Sequence, residues 1–152
     1  MRWSICLIIF WLIVAGCATE SAELDPLPRM VEQWSGSHSE LVDSSTFVVR
    51  TLEEWSELWR TVGREPPRSF EGGTHLAVAV FIGQRRTGGY SVEISGIHPE
   101  RDKLRVEYRE RTPKSGAMVP QMITSPWLIA LVAPSFSSTP IEIVPVHSRE
   151  EK

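Results

Sequence analysis

Hydrophobic and polar positions follow two periods along this chain. Leu52, Trp55, Leu58, Trp59 and Val62 recur at helical spacing and place one apolar stripe on a helix. Thr51 stands just before that stripe, with Glu54 three residues on, the pattern of a capping box. Gly63 ends the helix and Pro66-Pro67 prevents its continuation. Elsewhere the period is two. Residues 46–50 read as a first strand. In 89–97, Tyr90, Val92 and Ile94 alternate with Ser91, Glu93 and Ser95; in 103–111, Leu104, Val106 and Tyr108 alternate with Arg105, Glu107 and Arg109. Such alternation belongs to antiparallel strands with one face buried. The apolar run 75–82 predicts a central strand, and 127–132 and 141–146 complete the set. Pro140 and Pro145 push the last strand toward a sheet edge. Residues 30–39 fit neither period: Gly36, Ser37 and Ser39 oppose a long helix, while Val31 and Trp34 offer apolar groups for docking. The expected fold class is α+β, an antiparallel β-sheet with one packed Trp-rich helix. No internal repeat is present.

The N-terminus follows a different logic. Residues 1–4 include the basic Arg2, residues 5–15 are apolar, and Ala15-Gly16 stand directly before Cys17. This is the layout of a secretory signal. The apolar run is shorter than the roughly 20 residues needed to span a bilayer. Ala15-Gly16-Cys17 resembles the lipobox of bacterial lipoproteins. The resemblance implies cleavage before Cys17, a diacylglycerol on its sulfur and a further acyl chain, such as palmitate, on its new amine. Two or more acyl chains hold a protein firmly at a membrane. In the sorting pattern of that family, Asp after the cysteine retains the protein at the inner membrane. Ala18 therefore favours the outer membrane of a cell that has one, and the localisation expected is the cell envelope.

The organisation expected is a signal over 1–16, a lipid-anchored tether over 17–40, a folded domain over 41–147 and a charged tail over 148–152. Glu20, Glu23, Asp25, Pro26 and Pro28 give the tether an extended character. The chain of 152 residues carries a formal net charge of −3, and loss of Arg2 makes it one unit more negative. That charge carries no bulk electrostatic footprint for nucleic acid. Cys6 leaves with the signal and Cys17 is expected to be acylated, so no thiol remains for a disulfide or a metal. An exported domain without disulfides relies on its packed core, for which Trp34, Trp55, Trp59 and Trp127 supply material.

No local pattern of catalysis is present. His38, His75, His98 and His147 are scattered, with no i, i+4 pair of the zinc-binding kind. There is no G-x-S-x-G elbow and no phosphate-binding loop. His75 opens a core strand and reads as structural. No catalytic residue, metal site or cofactor is therefore expected. The segment that stands out is Arg85-Arg86-Thr87-Gly88-Gly89-Tyr90, between two strands. Its glycines suit a tight hairpin connection, with the arginines keeping it soluble. They would equally let a partner's backbone approach, while Arg85, Arg86 and the loop amides hold an anion or a carboxylate. Tyr90 is an aromatic contact at the loop base or a core residue. A second loop spans 112–117, before residues 119–123. A third contains Thr124-Ser125-Pro126-Trp127, where Trp127 is either an exposed anchor or, the preferred reading, core. Ser125, Pro126 and Trp127 join Arg85 to Tyr90 as candidate partner-binding residues.

Three of these segments carry a family resemblance. Leu52-Glu53-Glu54-Trp55-Ser56-Glu57-Leu58-Trp59, the strand into Gly83-Gln84-Arg85-Arg86-Thr87-Gly88-Gly89-Tyr90, and Thr124-Ser125-Pro126-Trp127 look like the C-terminal domain of the PrcB family. Members of that family are lipoprotein subunits of a surface protease complex. The resemblance covers residues 47–132 and implies a non-enzymatic accessory role beside an envelope protein, a protease in particular. A fainter likeness is to the chagasin-type cysteine-protease inhibitors, which present a Thr-Gly-Tyr loop, a glycine-rich loop and a Pro-Trp loop in that order. Thr87-Gly88-Gly89-Tyr90, Lys114-Ser115-Gly116 and Ser125-Pro126-Trp127 follow the same order. Their spacings are shorter, a helix precedes them, and the arginine before Pro-Trp is missing.

Overall fold

The computed structural model describes residues 28–133 and 139–146. The expected signal, Cys17, the first part of the tether, His147 and the charged tail lie outside the described residues. Chain order is β1 (Arg29–Gly36), β2 (Ser45–Val49), α1 (Leu52–Thr61), β3 (Leu76–Phe81), β4 (Ser91–Pro99), β5 (Leu104–Arg111), β6 (Trp127–Ala133) and β7 (Ile141–Pro145). Strand is thus the main regular structure of the described residues, with one short helix among them. Thr51 and Glu54 cap α1 reciprocally, and Gly63 turns the chain out of it at φ +66°.

The strands form two sheets rather than the one antiparallel sheet expected. The first has the order β1-β6-β3-β2 and is antiparallel throughout. The second has the order β4-β5-β7 and is mixed, because β7 runs parallel to β5. Alternation records which face of a strand is apolar and says nothing of which strand lies beside it. β7 does take a sheet edge, as its prolines require.

α1, the first sheet and the second sheet stack as three layers. Ala77, Ala79, Phe81, Trp127, Ile129 and Leu131 face the helix. Leu76, Val78, Val80, Leu128, Ala130 and Val132 face the second sheet. Burial on both faces explains why β3 and β6 are continuous apolar runs. β4 and β5 cover one face of their sheet with Val92, Ile94, Leu104 and Val106. Their other side carries ion pairs such as Arg111 with Glu93 (2.7 Å) and Arg105 with Glu107 (3.2 Å).

Four tryptophans fill the helix-side core. Trp55 and Trp59 of α1 meet Trp34 edge to face at 5.8 and 5.4 Å, and Trp59 meets Trp127 at 5.9 Å. Trp34 comes from β1, so residues 29–36 belong to the sheet and not to the tether expected over 17–40. β1 is an edge strand with most side chains in solvent, which hides it from a search for periodicity. Its Gly36 has a packing reason: a Cβ there would lie 2.7 Å from the Trp127 indole.

Candidate functional site

β3 and β4 lie in different sheets, so residues 82–90 form a crossover between layers and not a hairpin turn. Backbone bonds hold this crossover to the chain that precedes β6. The Arg85 N–H donates to Thr124 O (2.7 Å), and the Thr124 N–H donates to Arg85 O (2.9 Å). The Gly88 N–H donates to Pro120 O (2.8 Å), and Thr124 Oγ1 donates to Thr87 O (2.9 Å).

The charge of Arg85 is met from within the molecule. Its Nε and Nη2 each reach a carboxylate oxygen of Glu110 on β5 at 2.9 Å, a two-pronged pairing. The guanidinium also lies 5.7 Å from the Tyr90 ring centroid. The Glu110 hydrogen bonds raise the pKa of Arg85 above its ordinary value, against the opposing effect of burial. Burial, with Glu110 nearby, pushes the neighbouring Tyr108 hydroxyl up as well. Arg85 is therefore a clasp between the crossover and the second sheet.

The paired glycines are also taken up internally. A Cβ on Gly88 would lie 3.0 Å from Pro120 Cδ. Gly89 has φ +84°, and a Cβ there would lie 2.8 Å from Val119 Cγ1 and 3.0 Å from Pro113 Cβ. The close approach that glycine permits is made here by the chain's own 112–120 loop. Ser125, Pro126 and Trp127 are buried and present no contact surface. Trp127 is 1% exposed, and its indole N–H donates to His38 O at 2.8 Å. Its core placement also denies the chagasin-type reading an exposed Pro-Trp tip. Of the residues named from sequence, Arg86 and Gly89 remain exposed and Thr87 half-buried.

What this base presents to solvent is the loop over 112–123. Met118 is fully exposed, Ile123 is 63% exposed and Met122 48%. Apolar side chains of this size at the surface mark interaction sites when they gather, and methionine adapts to varied partners. Sequence reasoning passed over these residues because they belong to neither period. Their signal is the absence of one: Met118, Val119, Met122 and Ile123 are apolar, yet no element needs them for a buried face. Lys114 and Arg86 are exposed too and add positive charge.

Among the described residues, no group of three or more His, Cys, Asp or Glu side chains could hold a metal ion. His38 and His75 bond the hydroxyls of their neighbours Ser37 and Thr74, each at 2.9 Å through Nδ1. His98 lies 3.6 Å from Glu107. No curated protein and no solved structure matches the chain. Residues 76–133 do match a family model, that of the PrcB C-terminal family. The match runs from β3 to the end of β6 and leaves out α1, which the resemblance in sequence had included. It takes in the crossover, the Arg85–Glu110 clasp and the exposed loop. The segment 76–133 of this chain belongs to the PrcB C-terminal family.

Proposed function

We propose that the protein is a lipid-anchored envelope lipoprotein that binds another envelope protein, a protease in particular, and performs no chemistry of its own. The observation that carries this reading is the match to the PrcB C-terminal family over the segment that bears the exposed apolar loop. A protease-complex accessory role is consistent with that family. The contact surface is the 112–123 loop, with Met118, Met122 and Ile123 as apolar anchors and Arg86 and Lys114 as charged neighbours. The closed base beneath the loop supports this reading, because a preorganised loop loses less entropy on binding.

Attachment rests on the N-terminal pattern ending at Cys17. Among the described residues, no helix is long and apolar enough to cross a membrane. Acylation of Cys17 would supply the anchor, and the outer membrane is its favoured place in a cell that has one. Cys17→Ser should release the protein into the soluble fraction. Retention of that variant at the membrane would overturn the anchor.

The test of function is crosslinking of the full-length protein in its own membranes. The expected result is a protease-containing complex crosslinked through residues 112–123. Met118→Ser/Ile123→Ser should melt as the wild type does and lose capture by at least about tenfold, the loss expected for central apolar anchors. Unchanged capture by that variant would remove the loop from the interface.

A further inference from the structure

A second surface shares no residue with the 112–123 loop. β2 is the last strand of the first sheet. Among the described residues it pairs with β3 along one edge and with no strand along the other. A free strand edge offers backbone N–H and C=O groups to another chain. A groove of about 400 Å³ lies between this strand and α1. Phe47, Val49 and Leu58 make it apolar. Phe47 stays 41% exposed even though its ring meets Phe81 edge to face at 5.7 Å.

The helix side of the groove is acidic. Glu53, Glu54 and Glu57 all line it. Glu54 is committed to the helix cap, accepting from the backbone N–H groups of Arg50 (2.8 Å) and Thr51 (3.1 Å). Glu57 pairs with Arg60 in a contact open to water, the kind of ion pair that is readily exchanged. Glu53 and Glu57 are exposed and stand one helical turn apart.

We infer that an extended partner segment with Lys or Arg at alternate positions adds to β2 as a new strand beside α1. The spacings agree. Glu53 and Glu57 are separated by about 6 Å along the helix axis, and alternate residues of a strand by about 6.8 Å. Side chains of the added strand that face the helix would rest their aliphatic stems on Phe47 and place their cationic heads at the two carboxylates. The length of β2 admits about five residues of such a segment. Backbone pairing along the edge would supply affinity and the alternate cations specificity, as in other strand-addition sites.

The test uses the full chain in detergent micelles and two capped seven-residue peptides. One alternates Lys with Val; the control has Glu in place of Lys. The Lys peptide should bind and slow amide hydrogen exchange at residues 45–49. The Glu peptide should bind at least about tenfold more weakly, because it sets like charges against Glu53 and Glu57. Glu53→Gln/Glu57→Gln replaces two exposed side chains that take no part in the hydrogen bonds of the cap. It should lower the melting temperature by no more than about a few degrees, the small loss of a first-turn carboxylate and an exposed ion pair, and weaken the Lys peptide at least about fivefold. Absence of binding by the Lys peptide, equal binding of both peptides, or binding without protection of residues 45–49 would each overturn the inference.

Discussion

The crossover 82–90 and the loop 112–123 touch one another and use their residues in opposite ways. The crossover has two arginines and two adjacent glycines, the composition of a contact loop. Its Arg85 is clasped by Glu110, and the Cβ positions of Gly88 and Gly89 are closed off by Pro120 and by Val119 and Pro113. The loop 112–123 has the composition of an ordinary connection, yet it holds Met118, Met122 and Ile123 in solvent. Residues that permit close approach are often used by the chain itself. Residues that a fold leaves uncovered are the better guide to a partner.

Four variants sharpen this contrast, in order of their expected effect on stability. Trp127→Ala removes an indole from the core and leaves the His38 carbonyl without its donor. It should cost about 3–5 kcal/mol in chemical denaturation, and partner capture should fall only in step with the folded fraction. A greater loss of capture would return Trp127 to the interface. Gly89→Val forces a branched side chain against Val119 and Pro113 at positive φ, and should lower stability by about 1–3 kcal/mol. An unchanged denaturation midpoint would mean that the two loops do not pack. Arg85→Gln breaks a pair whose side chains are about a third exposed, so solvent screening limits the loss to about 1 kcal/mol or less. That loss should shrink as salt is raised, and a variant that abolished capture without losing stability would restore Arg85 as a contact residue. Met118→Ser/Ile123→Ser should change stability by less than about 0.5 kcal/mol. A larger change in its melting curve would show that the loop is part of the core.

Much of the secondary structure was legible in the sequence. Leu52 to Val62 carry the helical stripe, and Thr51 and Glu54 form the cap that the structure displays. The alternation through Tyr90–Ile94 and Leu104–Tyr108 marks β4 and β5, and the unbroken apolar runs mark β3 and β6. The proposed binding surface was far less legible. Arg85, Gly88 and Gly89 have the same local chemistry whether their partner is another protein or Glu110 and Pro120. β1 was invisible for a related reason: Trp34 docks against Trp55 and Trp59, which are brought to it from beyond the next strand.

Local order thus determined where α1 and the strands β2 to β7 lie, and which side of α1, β4 and β5 is apolar. That information resides in residues two to four positions apart, close enough to share a face. Tertiary structure alone decided that the strands divide into two sheets, that β7 runs parallel to β5 and that 82–90 crosses between layers. It also decided that Trp127 is core and that Met118, Met122 and Ile123 remain in water. Each of those outcomes depends on contacts between residues far apart in the chain, and burial is a property of the neighbours that the fold supplies.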